Sequence, residues 1–324
     1  MDFLLIDLMG KPVWSWLAFV LAVALLLAFD LGVLHRKSHA IGVKESLGLS
    51  AFYIAIGVGF GGAIWLWMGA QAATEYLTGF VVEKSLAMDN IFVIAMIFSY
   101  FAIPAAYQHR VLVYGILGVL ILRGLMIAAG SAIVTEFSWV LYVFAAFLVL
   151  TGIRMLFSAE KQHDVSGSPV VQFMSRHLNT TKELHGEKFF VRRPDGMGRL
   201  RLLATPLFGA LVLVELADLA FAVDSIPAIF AITTDPYIVL TSNVFAILGL
   251  RALYFALAAM VDRFVYLKYA LAAVLIFIGS KIFVADMLGL TKIPPMISLS
   301  VTLGILAVGI LGSLWKTRNI KVQT

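Results

Sequence analysis

The stretch EKSLAMDNI, residues 83–91, lies in an apolar segment and has a counterpart, DLAFAVDSI, at residues 218–226. In each stretch an acidic residue precedes an aspartate by six positions, and a small polar residue follows that aspartate. The two pairs of acids are Glu83 with Asp89, and Asp218 with Asp224. Carboxylates are rare in membrane spans, because each ionised group at the bilayer centre costs about 2.5–3.5 kcal/mol even on the lenient insertion scale. Two matching sets therefore indicate a repeated unit built around intramembrane charges.

The composition of the chain excludes several classes of protein. Of the 324 residues, 61% are hydrophobic and 13% are Asp, Glu, Lys or Arg. This charged share is about half that of an ordinary soluble domain, which excludes a soluble enzyme and indicates a polytopic membrane protein. The absence of cysteine excludes disulfides, thiolate metal sites and cysteine nucleophiles. No catalytic motif occurs in a supporting context, so we do not expect an enzyme.

Apolar runs predict an all-α polytopic membrane protein with nine transmembrane helices in one domain, residues 1–324. The predicted spans are 12–34, 46–69, 76–101, 111–130, 139–157, 204–233, 237–260, 264–285 and 294–315, with a cytoplasmic tail to 324. Residues 158–203 form the only long loop, and this loop is polar and basic.

The positions of Lys and Arg predict the orientation of the spans. They concentrate in the loops after the odd-numbered spans, which places the N-terminus outside and the C-terminus in the cytoplasm of a bacterial-type inner membrane. The net charge of +5 then reflects cytoplasmic loops facing a lipid bilayer, and no nucleic-acid partner is expected.

Spans 3–5 (residues 76–157) and 6–8 (residues 204–285) predict two copies of one unit. Leu122-Arg123-Gly124-Leu125 matches Leu250-Arg251-Ala252-Leu253, and Gly152 matches Gly279. Because each copy has three spans, the two copies enter the membrane from opposite sides. Such a 3+3 inverted repeat is typical of secondary transporters, whose sites lie near the midplane between the repeats.

The polar residues of spans 3 and 6 predict a cation site. The candidate metal ligands are Glu83, Asp89, Asn90, Glu215, Asp218, Asp224 and Ser225, and the candidate counter-charges are Lys84, Arg123 and Arg251. Pro227 removes a helical hydrogen bond beside Asp224, which predicts a break in span 6. Alternatively, the acids and bases form a purely structural network of ion pairs.

The predicted site contains only oxygen ligands, since no Cys or His lies in the spans. Such sites suit hard divalent cations, and the residues do not distinguish Mn²⁺ from Ca²⁺. The ion would be the transported substrate, coupled to protons or the membrane potential, and no prosthetic group is expected. Two other functions stay open: a non-transporting membrane scaffold that uses the basic loop, and a transporter of amino acids or other small solutes.

The stretch at 83–90 and the sequence DLAFAVDSIPAIFAITT at 218–234 resemble the signature of the TerC family of integral membrane proteins, nearest its Alx-like bacterial branch. Residues 100–126 and 235–254 extend the resemblance over nearly the whole chain. It implies manganese export from the cytoplasm, an older association with tellurite resistance, and a fold related to LysE-type transporters with a 3+3 inverted repeat. The family's acidic motifs fall on Glu83, Asp89, Asn90, Asp218, Asp224 and Ser225, and Glu215 lies in the same stretch.

Overall fold

A computed structural model describes residues 2–29, 42–157, 181, 183–194, 200–258, 265–290 and 293–317. Within these ranges a few side chains are not described, including those of Asp89 and Arg251. The described chain is mostly helical and contains ten α-helices. They are α1 (Val13–Phe29), α2 (Val43–Met68), α3 (Ala70–Tyr100), α4 (Ala105–Glu136), α5 (Val140–Phe157), α6 (Pro206–Phe230), α7 (Pro236–Leu248), α8 (Leu250–Ala258), α9 (Leu267–Met287) and α10 (Pro295–Lys316).

Two short antiparallel hairpins accompany the helices. One, β1 (Asp7–Leu8) with β2 (Lys11–Pro12), precedes α1, and a 3₁₀ turn (Asp2–Leu5) comes before it. The other, β3 (Phe190–Pro194) with β4 (Leu200–Ala204), lies in the predicted basic loop. The loop prediction missed this hairpin, and residues 158–180, 182 and 195–199 of the loop lie outside the described residues.

Six helices, α2, α4, α5, α6, α9 and α10, are long and apolar enough to cross a membrane. The apolar helices α1 and α7 are shorter, with 17 and 13 residues. Helix α3 has 31 residues, but Glu83, Lys84 and Asp89 lower its hydropathy. The chain is therefore a multi-pass integral membrane protein.

The structure corrects two of the predicted spans. Predicted span 7 is wrong as one helix, because Gly249 interrupts it between α7 and α8, and glycine is a weak helix former. Pro227 was also expected to bend or locally unwind span 6, and the unwinding is wrong, since α6 continues through Pro227 to Phe230. Pro227 lies in the last turn of α6. Because the helix ends three residues later, the missing N–H donor affects only this turn.

Helix α3 lies at the centre of the molecule, in contact with α2, α6, α7, α8 and α10. The most extensive contact between two helices joins α5 to α9. There, a Cβ on Gly152 would lie 2.8 Å from the carbonyl oxygen of Ala272, and a Cβ on Gly279 would lie 2.6 Å from that of Ala145. The two glycines thus let these backbones approach more closely than any side chain would allow.

Two ion pairs tie loops to the ends of the helices. Lys11 Nζ lies 2.9 Å from Asp235 Oδ2, which places the N-terminal hairpin beside the α6–α7 loop. Arg110 Nη1, at the start of α4, lies 3.0 Å from Glu187 Oε2 in the basic loop. Each pair joins segments that the sequence prediction assigns to the same side of the membrane.

Candidate functional site

Arg123 on α4 is the centre of a buried polar cluster. Its side chain is 1% exposed. The guanidinium holds the Asp218 carboxylate in two hydrogen bonds of 2.8 Å, from Nε to Oδ2 and from Nη2 to Oδ1. Nη1 donates to Glu83 Oε1 on α3, and this carboxylate is fully buried as well. The contact with Asp218 is planar and two-pointed, which is the strongest form of a carboxylate–arginine contact.

Three neutral side chains complete the cluster. Asn90 Nδ2 donates to Asp218 Oδ1 at 3.2 Å, and Arg123 Nη1 lies 3.3 Å from Ser225 Oγ. The same Nη1 lies 3.5 Å from Asn243 Oδ1 on α7. Glu83 and Asn90 are seven residues apart on α3, as are Asp218 and Ser225 on α6, so each pair shares a helix face.

The cluster leaves several buried polar atoms without a hydrogen-bond partner among the described residues. They are Glu83 Oε2, Asn90 Oδ1 and Asn243 Nδ2. Each such atom costs on the order of 1–3 kcal/mol of desolvation that no hydrogen bond offsets. Buried polar groups in folded proteins are almost always paired with protein, water or a ligand, so these atoms have room for a further partner.

A small cavity of about 30 Å³ adjoins the cluster. Asn90 and Asp218 line one end of it, and Leu112 and Tyr254 line it near the start of α4 and within α8. A space of this size holds about one water molecule. The cavity thus places a small space beside the Asn90 and Asp218 side chains, on the side of the cluster nearer to the start of α4.

Glu215 lies on α6 near this cavity but outside the pairing with Arg123. Its carboxylate packs against α4, where a Cβ on Gly118 would overlap it and a Cβ on Gly115 would lie 3.7 Å from Oε1. Glu215 Oε2 has no hydrogen-bond partner among the described residues. Glu215 is therefore adjacent to the cluster with an acceptor still available.

Asp224 does not join the cluster. Its Oδ1 lies 3.4 Å from Thr151 Oγ1 on α5, and the side chain is partly exposed. Because α6 is regular at this point, a six-residue separation turns Asp224 away from Asp218. The side chains of Asp89 and Arg251, the counterparts of Asp224 and Arg123, lie outside the described part of the structure.

Lys84 binds a backbone carbonyl at the interruption between α7 and α8. Its Nζ donates to the carbonyl oxygen of Ala246 at 2.8 Å, and a Cβ on Gly249 would lie 2.7 Å from the same Nζ. The ammonium thus satisfies an acceptor at the end of α7. Lys84 was expected as a counter-charge to the acids, and its recorded partner is this carbonyl.

In the described residues, no group of three carboxylate, imidazole or thiol side chains gathers closely enough to hold a metal ion. Arg123 lies between Glu83 and Asp218 and pairs with both carboxylates. In this arrangement the guanidinium neutralises both acids. A cation could take its place only if Arg123 withdrew or the ion bound on the free side of Asn90 and Asp218.

Sequence reasoning missed Asn243. The signal was the run Thr241-Ser242-Asn243, three polar residues in an otherwise apolar span. The Thr241 and Ser242 hydroxyls bond to their own helix, at Tyr237 O and Val239 O, whereas the Asn243 carboxamide turns toward Arg123.

The chain is similar over nearly its whole length to several bacterial membrane proteins. An uncharacterized membrane protein of Rickettsia bellii is 48% identical over 95% of this chain and 100% of the relative. Another, from Myxococcus xanthus, is 46% identical over 96% of this chain and 94% of the relative. The Alx protein of Escherichia coli (strain K12), provisionally named a membrane-bound redox modulator, is 46% identical over 94% of this chain and 95% of its own.

No solved structure matches the chain. The model of the integral membrane protein TerC family matches residues 68–321 and so includes every helix of the cluster. This match covers most of the chain, and the relatives above align over nearly all of it. The protein therefore belongs to the TerC family of integral membrane proteins.

Proposed function

We propose that this protein is a secondary transporter that exports divalent metal cations, foremost Mn²⁺, from the cytoplasm. The observation that carries the proposal is the Arg123 cluster, in which the buried carboxylates of Glu83 and Asp218 share one guanidinium. Beside them, Glu83 Oε2 and Asn90 Oδ1 have no hydrogen-bond partner among the described residues. Ionisable groups inside a membrane bundle mark ion pathways more often than they serve as struts. On this view the protein moves its substrate without chemically changing it and is not an enzyme.

In the proposed cycle, Arg123 is the counter-charge of the empty site. It keeps Glu83 and Asp218 neutralised while no cation is bound, since two unpaired buried carboxylates would be costly. An arriving cation competes with the guanidinium for the same oxygens, and protons or the membrane potential drive its release outside. Carboxylate and carboxamide oxygens suit Mn²⁺ or Ca²⁺.

The proposed architecture is a nine-span inverted repeat in a bacterial-type inner membrane, with the N-terminus outside. The contacts support a pseudo-twofold relation between α3–α5 and α6–α9. Gly152 and Gly279 approach the backbone of the opposite helix in the same manner, and α3 and α6 meet directly at the cluster. In this scheme α7 and α8 together form one span that is interrupted at Gly249.

The name of the Alx relative concerns redox chemistry, but the 324 residues of this chain contain no cysteine. Its own side chains therefore offer no thiol–disulfide exchange. In our proposal, any redox effect of this protein would act through the metal that it exports.

Cellular manganese during a Mn²⁺ challenge tests the proposal. Strains that carry Glu83→Gln or Asp218→Asn should accumulate more manganese than wild type at equal protein level. Glu136→Gln, at an exposed acid at the end of α4, is the matched control and should behave as wild type. Equal manganese in the Glu83, Asp218 and wild-type strains would contradict export through this cluster.

The same strains separate transport from a scaffold role. A scaffold would lose function on deletion within the basic loop, and the acidic substitutions would act only through protein level. Competition between Mn²⁺ and amino acids in proteoliposomes separates metal transport from transport of another small solute.

A further inference from the structure

Asn243 is buried without adequate hydrogen bonding. Its side chain is 0% exposed in the middle of α7. A carboxamide offers two donor hydrogens and an acceptor oxygen. The recorded contact to Arg123 Nη1, at 3.5 Å, is the longest that the guanidinium makes, and Asn243 Nδ2 has no partner among the described residues.

Arg123 does not depend on Asn243 for its position. The guanidinium is already fixed by two bonds of 2.8 Å to Asp218 and by its pairing with Glu83. A leucine of nearly the same shape would fill the space at Asn243 and avoid the cost of burying a poorly bonded amide. The amide therefore has a use that the arginine-bound state does not reveal.

The chemistry of a hard divalent cation supplies that use. Such an ion needs about six oxygen ligands, and Glu83 and Asp218 are the two carboxylates that meet at Arg123 in the described structure. Neutral oxygens must make up much of the remainder, together with water. Asn90 and Ser225 supply two from the acidic stretches, and Asn243 adds one from α7, a helix on which no ligand was predicted.

We propose that Asn243 is a ligand of the transported divalent cation and helps to select among such cations. This inference rests on the proposed transport function. When Arg123 releases the carboxylates, the Asn243 oxygen that faced Nη1 is left facing the vacated space and binds the ion there.

The test is transport of Mn²⁺ and of Ca²⁺ into proteoliposomes that contain the purified full chain. Asn243→Leu removes the ligand oxygen and keeps the number and branching of the side-chain heavy atoms. Its unfolding temperature in detergent, measured beside transport, shows whether the larger leucine disturbs the fold. Its Mn²⁺ transport should fall by about tenfold or more, the range typical for loss of a group that holds a metal. Thr241→Val is the matched control, since among the described residues that hydroxyl bonds within α7, and it should transport as wild type.

A second variant distinguishes a ligand from a residue that only positions Arg123. Asn243→Asp keeps an oxygen at the same place and adds a carboxylate that can bind in bidentate fashion, which the larger Ca²⁺ accommodates better. We expect transport to persist with its preference shifted toward Ca²⁺. A positioning role would leave the preference between the two ions unchanged.

The outcomes decide the two proposals separately. If wild-type protein moves neither ion, the transport function itself fails. If wild type transports but Asn243→Leu transports equally well, only the ligand assignment is overturned. An unchanged Mn²⁺-to-Ca²⁺ preference in Asn243→Asp also overturns it, whatever the stability of Asn243→Leu.

Discussion

At the scale of single residues, the stability of the core depends on pairing around one guanidinium. Arg123 is nearly inaccessible and neutralises two carboxylates that come from different helices, Glu83 from α3 and Asp218 from α6. Each of these three charges would be costly to bury alone, and pairing offsets that cost, so removal of one partner leaves the others uncompensated. This coupling makes the residues interdependent in any mutational experiment.

Removing the arginine alone should therefore be strongly destabilising. Arg123→Met leaves both carboxylates buried without a counter-charge and should cost about 3–5 kcal/mol of unfolding free energy. The triple variant Glu83→Gln, Arg123→Met, Asp218→Asn removes all three charges together and should recover most of that loss. Thermal unfolding in detergent is the measurement. A single variant as stable as wild type would show that the carboxylates are not held as described.

At the scale of helices, close backbone contact fixes the crossing of α5 and α9. A methyl group at Gly152 or Gly279 would meet a carbonyl oxygen of the opposite helix at 2.8 or 2.6 Å, and a backbone atom cannot move aside as a flexible side chain can. The helices would have to separate along their contact, and the apolar packing on both sides would loosen with them.

Gly279→Ala should therefore destabilise the protein, by about 1–3 kcal/mol as for other overpacked contacts. Gly124→Ala and Gly304→Ala are matched controls in α4 and α10, because nothing lies within 4 Å of a Cβ at either position. Those controls should be neutral or stabilising, since alanine favours a helix by up to about 1 kcal/mol over glycine. Similar unfolding temperatures for all three variants would contradict the close crossing.

The sequence predicts the helices and the positions of the acids well. It predicts less well where a helix is interrupted and which side chains of distant helices bond to each other. Glu83, Asn90, Asp218 and Ser225 meet as their seven-residue spacing indicates, and Arg123 joins them. The interruption falls at Gly249 and not at Pro227, and Lys84 from α3 donates to a carbonyl of α7 beside it. Such contacts between distant helices leave no local pattern in the sequence. For Asn243, the polar run 241–243 marks the position, but nothing in the sequence shows that Arg123 is its partner.

At the scale of the whole molecule, the loops sort into two ends. Lys11 with Asp235 joins two loops at one end, and Arg110 with Glu187 joins two at the other. The small cavity at the cluster extends toward the end that carries Arg110. If that end is cytoplasmic, as the distribution of basic residues predicts, the cavity approaches the cluster from the side where an exporter takes up its substrate.

The absence of native cysteine makes this orientation directly testable. A membrane-impermeant maleimide applied to intact spheroplasts should label Ser138→Cys, in the α4–α5 loop, without permeabilisation. Lys188→Cys, in the basic loop beside Glu187, should be labelled only after the membrane is opened. The reverse pattern would mean that the protein is inserted with the opposite orientation, and uptake would then replace export.

Mn²⁺ uptake into inside-out membrane vesicles tests the central claim, that the Arg123 cluster is the transport site. Inside-out vesicles turn export into uptake, so metal carried by the protein accumulates inside and can be counted. We predict uptake by wild type well above vesicles that lack the protein, and uptake by Asp218→Asn no higher than that background at equal protein level. Asp218→Asn vesicles that take up Mn²⁺ as fast as wild type would contradict the account.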